Sequence, residues 1–475
     1  MTSQGTGGRG MGGGRRTGGR ADPARRAALD ALRGVAERDA YANLLLPALL
    51  RERGLAGRDA ALATELCYGT LRGQGSYDAI LALCSDRGLA AVDPPLRQVL
   101  RLGAHQLLAT RVRPHAAVAT SVDLARYVAG PRPAGFVNAV LRRVATRDLP
   151  AWLEIAAPDR AEDLAGHLSV RYSHPRWIVT ALAAALGEDP AAGLAETEAL
   201  LAADGERPAV TLCAVPGRAD QAELIEAGAE PGRWARTAAC LPAGDPALVP
   251  AVAQGRAAVQ DEASQLAAAA LARVPTAGQD TMRWLDLCAG PGGKARLLAG
   301  LAGQPGARLL AADLREHRAR LARAALPGAA GVVAADGTAP GWRTGAFDRV
   351  LADVPCSGLG ALRRRPESRW RRSPADVAGL GGLQRALLAS ALDAARPGGV
   401  VGYVTCSPHL AETREVVASV LAGRADADVL DAPAVLAEVP GLRCPDPGSR
   451  FAQFWPHRHG TDAIFLALLR RRPAG

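Results

Sequence analysis

The chain has 475 residues, 48% hydrophobic and 22% charged, which is enough to bury substantial cores in about two to four domains. No charge-free run of about 18 apolar residues occurs and the N-terminus is Gly/Arg-rich, which argues against a membrane span and a secretory leader and predicts a cytoplasmic protein. The formal net charge of +10 suits a polyanionic partner without separating RNA from DNA or an anionic surface. Eight scattered cysteines with no CxxC pair argue against zinc ribbons and a disulfide framework, so no metal is expected and a catalytic thiol is the special use left.

Residues 1 to 24 combine glycine and arginine with almost nothing apolar and predict a disordered tail. From 25 to 165 apolar residues recur at helical spacing, as in DAALATELCYGTLRGQGSYDAILALC and PPLRQVLRLGAHQLL. Pro94, Pro95, Pro114, Pro131 and Pro133 fall between these segments, where proline ends helices. This is the pattern of an all-α domain, with Asn138 expected to cap or pin a turn. Residues 166–254 hold the helix-like RWIVTALAAALG, the strand-like PAVTLCAV and the helix-like DQAELIEAG, which predict a small α+β bridging subdomain. From 255 to 472 short apolar runs alternate with helical stretches and predict a doubly wound, Rossmann-like α/β sheet.

In MRWLDLCAGPGGKARLL an apolar strand enters a Gly-rich turn and then a helix, so Asp286, Gly290, Gly292 and Gly293 mark backbone that passes close to a ligand. Lys294, the chain's only lysine among its basic residues, falls in this turn, where a compact ammonium is not replaceable by a planar guanidinium. The next strand ends in Asp313, placed to accept ribose hydroxyls, and the third in Asp336, beside the expected adenine. The turn alone leaves nicotinamide, flavin and S-adenosylmethionine open.

Strands four and five each end in a cysteine, in ADVPCSGLG (Asp353, Cys356) and YVTCSPH (Cys406). In a doubly wound sheet such ends face one crevice, so both thiols can share a site, whereas no hydride-accepting group suggests a dehydrogenase. Cytosine C5 is too weak a nucleophile to take a methyl group unaided. A thiolate adding to C6 makes C5 nucleophilic, a second group can assist loss of the C5 proton, and a carboxyl near N3, here Asp353, favours the addition. Spacing does not rank the two thiols.

DLCAGPGGK, ADVPCSGLG, RRRPESRW and YVTCSPHLAE together resemble the Sun/Fmu family of RNA cytosine-C5 methyltransferases, over about residues 25 to 470. ELCYGTLR, LRLGAHQLL and FVNAVLRRV resemble the NusB-like helical RNA-binding domain that precedes the methyltransferase in that family. The resemblance implies S-adenosyl-L-methionine as cofactor and small-subunit ribosomal RNA as acceptor, with transfer RNA the nearest alternative. It makes Cys406 the nucleophile and Cys356 the release assistant. Its cofactor contacts run over Cys288, Ala289, Gly290, Pro291, Gly292, Gly293 and Lys294, then Asp313, Asp336 and Asp353. A DNA cytosine methyltransferase would attack from the fourth-strand Pro-Cys. The chain departs from the family at Thr413, where asparagine is usual, and at Ala463–Ile464, where Gly-Phe is common.

Arg364 and Arg365 in LRRRPESRWRR are expected to clamp phosphates while Trp370 stacks on a base, and Arg142 to add grip from the helical domain. A monomer is expected. His457 and His459 are expected to pack or cap. A non-catalytic RNA-binding factor is the reading from another class, and the intact Asp353, Cys356 and Cys406 argue against it.

Overall fold

The computed structural model describes residues 22–189, 191–303, 307–326 and 331–473; the expected tail lies outside them as far as residue 21. The described residues form two compact units, 22–70 with 80–152, and 71–79 with 153–473.

The first unit is helical throughout its regular structure: α1 (Pro23–Arg38), α2 (Ala42–Glu52), most of α3 (Gly57–Arg72) and the second half of α4 (Gln74–Cys84), then α5 (Pro94–Ala109), α6 (Pro114–Ala129) and α7 (Ala134–Val144). Asp22 caps α1 by accepting from the Arg25 N–H at 2.9 Å, so the helix starts two residues inside the stretch read as tail. Pro94 and Pro114 open α5 and α6, where a missing N–H costs no helical bond. Gly103 lets α5 and α7 approach: a Cβ there would lie 2.6 Å from Leu141. Asn138 corrects the expectation placed on it. It lies in the middle of α7 and makes no side-chain hydrogen bond among the described residues, because the helix runs through it unbroken.

Residues 71–79 pack with the second unit, where the Gly75 N–H donates to Ser173 Oγ at 2.8 Å and Ser76 Oγ to the Val170 carbonyl at 2.6 Å. That unit continues through the second half of α8 (Leu149–Ala156), α9 (Leu164–Arg171), α10 (Arg176–Leu186) and α11 (Ala195–Gly205). A small antiparallel sheet follows, ordered β2-β3-β1-β4, from β1 (Val210–Ala214), β2 (Glu230–Pro231), β3 (Ala238–Leu241) and β4 (Ala257–Val259), with α12 (Gln221–Glu226) and α13 (Pro250–Ala253) in its connections. Its fourth strand lies just past residue 254, the end expected for the subdomain.

The large sheet runs β10-β12-β9-β8-β5-β6-β7. It alternates with helices as predicted: α14 (Glu262–Arg273), β5 (Arg283–Asp286), α15 (Gly293–Ala302), β6 (Arg308–Asp313), α16 (Glu316–Ala325), β7 (Gly331–Ala334), β8 (Phe347–Asp353), α17 (Ser368–Arg371), α18 (Pro374–Ala394), β9 (Ala395–Thr405) and α19 (Arg414–Ala422). Strands β5 to β9 are parallel. Then β10 (Ala427–Leu430), α20 (Ala432–Val435), β11 (Ala452–Gln453), α21 (Pro456–His459) and β12 (Phe465–Arg471) close the chain, with β12 antiparallel to β9. The order reverses between β5 and β8, the switch point where a crevice opens at the carboxyl ends of the strands. Buried Val400, Val401, Tyr403 and Val404 make β9 a continuous apolar run, as a strand covered on both faces requires.

Candidate active site

The Gly-rich turn joins β5 to α15 as the sequence predicts. Gly292 sits at φ +108°, a conformation open to glycine, and its N–H closes the turn on the Ala289 carbonyl. Gly290 has no room for a side chain, since a Cβ would lie 2.5 Å from Asp313 Oδ2. Its N–H instead donates to that oxygen at 3.1 Å, and Asp313 Oδ1 accepts from the Arg315 N–H at 2.9 Å. Cys288 is half-buried against the apolar side of the sheet, and burial pushes its thiol well up. Asp336 is exposed after β7, where Thr338 donates its N–H and hydroxyl to it and holds its carboxyl down.

Asp286 is buried, and its Oδ2 has no hydrogen-bond partner among the described residues. Burial, reinforced by Asp353, raises its carboxyl to about 8. An orphaned carboxyl oxygen beside a turn too tight for side chains fits a ligand that brings its own donors and positive charge, as S-adenosylmethionine does.

Lys294 Nζ reaches across from α15 to Asp353 Oδ2 at 2.8 Å, with the lysine side chain 11% exposed. Burial alone would lower the ammonium, but Asp353 outweighs it and the lysine is held charged. The structure therefore gives the solitary lysine a partner at the end of β8, three residues before Cys356.

The two thiols meet. Cys356 Sγ and Cys406 Sγ lie 3.3 Å apart, both cysteines are free and both are half-buried. Their shared hydrogen bond lowers Cys406 and raises Cys356, and burial raises Cys356 further. Lys294 and Arg365 also lower Cys406, while Asp353 opposes them. The loops that carry the thiols are tied by a buried network invisible from spacing. Glu412, fully buried, accepts the Ser357 N–H at 2.7 Å, the Ser357 hydroxyl, and Gln384 Nε2 at 3.2 Å. Gln384 also donates to the Pro355 carbonyl at 2.9 Å, and Ser407 Oγ lies 3.1 Å from Ser357 Oγ, which accepts from it. The departures from the family motif fall in this scaffold: Thr413 donates its hydroxyl to the His409 carbonyl at 2.9 Å, and the Ala463 N–H to the Gly360 carbonyl at 2.8 Å. Gly360 in turn donates to the Cys406 carbonyl at 2.9 Å.

The arginine run divides. Arg364 lies between Asp462 at 2.9 Å and Asp261 at 2.8 Å, and Arg363 shares both carboxylates. This corrects the phosphate role expected of Arg364, whose charge is already neutralised inside the fold. Arg369 is fully buried and donates to the carbonyls of Arg72, Ser173 and Asp204. Arg365 is exposed and close enough to act on the Cys406 thiol. Trp370 is 37% exposed and lies over Gly75, where a Cβ would meet the ring at 2.5 Å. Arg142, in the helical unit, is exposed in the last turn of α7. His459 Nδ1 accepts the Trp455 N–H at 2.9 Å and His457 faces Glu196, so both histidines pack and cap as expected. No helix among the described residues is long and apolar enough to cross a membrane.

A Rossmann-like sheet of this order, entered through a glycine-rich turn, is the frame of an S-adenosylmethionine-dependent methyltransferase. Comparison with known proteins narrows the class. Residues 274–470 match the family described as 16S rRNA methyltransferase RsmB/F, and residues 22–146 match the NusB family. A Mycobacterium tuberculosis protein named as a methyltransferase is 52% identical over 453 residues, 95% of this chain and 97% of its own length. The ribosomal RNA small subunit methyltransferase B of Pseudomonas putida is 35% identical over 462 residues, 94% of this chain and 98% of its own. In fold, the crystal structure of PH0851 aligns with a TM-score of 0.76 at 22% identity, covering 94% of this chain and 98% of that one. The chain belongs to the RsmB/F family of 16S rRNA methyltransferases: it is an S-adenosylmethionine-dependent RNA methyltransferase with a NusB-family domain ahead of the catalytic one.

Proposed function

We propose that the protein methylates C5 of a cytosine in small-subunit (16S) ribosomal RNA through a covalent bond between Cys406 Sγ and C6 of the base. The observation that carries this reading is the pair of thiols 3.3 Å apart at the ends of β8 and β9, with a lysine–aspartate pair beside them. Cys406 has the lowered thiol and two cations near it, so it is the group able to attack as thiolate. As the S–C6 bond forms, the C5=C6 electron pair moves onto C5, and a carboxyl near N3 of the base, here Asp353, favours the addition. S-adenosylmethionine, when bound, supplies an electrophilic methyl group on a sulfonium.

After transfer the C5 proton leaves to a base, with Cys356 assisting. The C5–H electron pair re-forms the double bond and expels Cys406 as thiolate. Residues 288–294, with Asp313, Asp336 and Asp353, would hold the cofactor: the glycines would admit it to the backbone, the carboxyls would accept its donors, and Lys294 holds Asp353 at the end of β8. Arg365, near Cys406, and exposed Trp370 would meet the acceptor, whose base must leave its stack, and exposed Arg142 would add a backbone contact from the helical domain.

The test is methyl transfer from labelled cofactor to 16S ribosomal RNA, followed by nucleoside mass spectrometry and bisulfite mapping. The expected product is 5-methylcytidine at a defined position. Methyl on another atom overturns the C5 assignment, and 5-methylcytidine appearing in transfer RNA alone overturns the acceptor.

A further inference from the structure

The thiol pair sits on a gradient of charge. At the Cys406 end stand the Lys294 ammonium and the Arg365 guanidinium, opposed by the Asp353 carboxylate. At the Cys356 end stands Glu412, whose carboxylate is fully buried and bonded to neutral donors, Ser357 and Gln384, with no ion pair among the described residues. Ser357 is the residue directly after Cys356, so its two donations hold the Glu412 charge against that thiol's own loop. Tyr403, buried on β9, faces Cys356 as a neutral phenol and fixes Glu412 from the other side by donating its hydroxyl to the Glu412 carbonyl at 2.8 Å. His409, on the same turn as Glu412, is held toward its neutral form by burial, and Arg372, a cation bonded to the loop of Cys356, donates its Nε to the Ser357 carbonyl at 3.1 Å rather than to Glu412.

We propose that Glu412 is a positioning residue whose buried charge keeps the one proton shared by the two thiols on Cys356, leaving Cys406 as the thiolate. This rests on the reading of Cys406 as nucleophile, and it ranks the two thiols by electrostatics. A thiolate at Cys356 would lie against the buried Glu412 carboxylate, whereas one at Cys406 lies against two cations. The proton stays within the pair, so nothing further is consumed or released. Coupled groups share their titration, so the gradient decides which sulfur carries the charge.

The experiment uses the reduced full-length chain without RNA: alkylation by iodoacetamide across pH 6 to 10, with the rate at each cysteine read by peptide mass spectrometry. Alkylation follows the thiolate fraction. In the wild type Cys406 should react at least about tenfold faster than Cys356 near neutral pH, the ratio that one pKa unit makes. In Glu412→Gln, which keeps the shape and removes the charge, that ratio should fall by about tenfold through faster reaction at Cys356. Ser357→Ala, which removes a hydrogen bond and keeps the charge, should leave the order of the two thiols intact.

An unchanged ratio in folded Glu412→Gln overturns the proposal, as does an equal loss of the ratio in Ser357→Ala, which would make the effect one of packing. Should Glu412→Gln fail to fold, Gln384→Lys sets a cation against the same carboxylate, and the ratio must fall there too or the proposal is wrong. The labelling is independent of the methylation product. A chain that methylates another atom yet shows this order breaks only the C5 reading, and one that makes 5-methylcytidine without it breaks only the role of Glu412.

Discussion

The two thiol loops and the arginine run that follows the first of them are neighbours in sequence and opposites in how they use charge. The loops bring reactive groups together, two thiols 3.3 Å apart with the Lys294–Asp353 pair beside them. The run spends most of its charge on the fold, with Arg363 and Arg364 on Asp261 and Asp462, and Arg369 on three carbonyls. A row of arginines is therefore not one surface. Most of the run serves rigidity, tied to carboxylates and carbonyls within the fold.

Substitutions should separate these uses. Cys406→Ala should abolish methyl transfer, by on the order of 10⁴-fold or more, while leaving the melting temperature nearly unchanged. Arg369→Ala should do the reverse, costing about 3–5 kcal/mol in denaturant unfolding because three buried carbonyls lose their donor.

The pH dependence of stability tests the same buried region. His174 is fully buried, and burial lowers it to about 4, so it is neutral in the fold and charges readily once unfolded. Its contribution is present above the unfolded value near 6.5 and is lost as the pH falls toward 4. Unfolding at pH 5 should therefore be easier than at pH 7 by about 2 kcal/mol, and His174→Gln should flatten that dependence.

The smallest effects distinguish two adjacent arginines. Arg364→Ala should lower stability by about 2 kcal/mol, because two carboxylates lose a partner while Arg363 remains. Arg365→Ala should instead weaken RNA binding by about 1 kcal/mol and reduce its salt dependence. Exchanged outcomes would invert the comparison.

What could be read from the sequence follows the range of the interactions. The cofactor turn, the carboxylates ending β6 and β8, and both strand-end cysteines were legible because short contiguous motifs carry them and strand alternation puts their ends on one crevice. The engagement of Arg364 was not, since Asp261 and Asp462 lie about a hundred residues away on either side. Nor was the tie from Glu412 to Ser357, 55 residues apart, although Glu412 stands in the second cysteine motif. The antiparallel direction of β12 leaves no trace in periodicity, which reports burial and not orientation. Asn138 was expected to cap or pin a turn, while the helix that absorbs it is specified by its apolar neighbours Val137, Val140 and Leu141.

The central claim is that Cys406 bonds to the base and Cys356 helps it let go, and one experiment reaches it most directly. Each single alanine variant is incubated with 16S ribosomal RNA and S-adenosylmethionine, then run on a denaturing gel. Cys356→Ala should accumulate a denaturant-stable protein–RNA adduct, and Cys406→Ala should form none. An adduct from Cys406→Ala, with none from Cys356→Ala, would contradict the assignment.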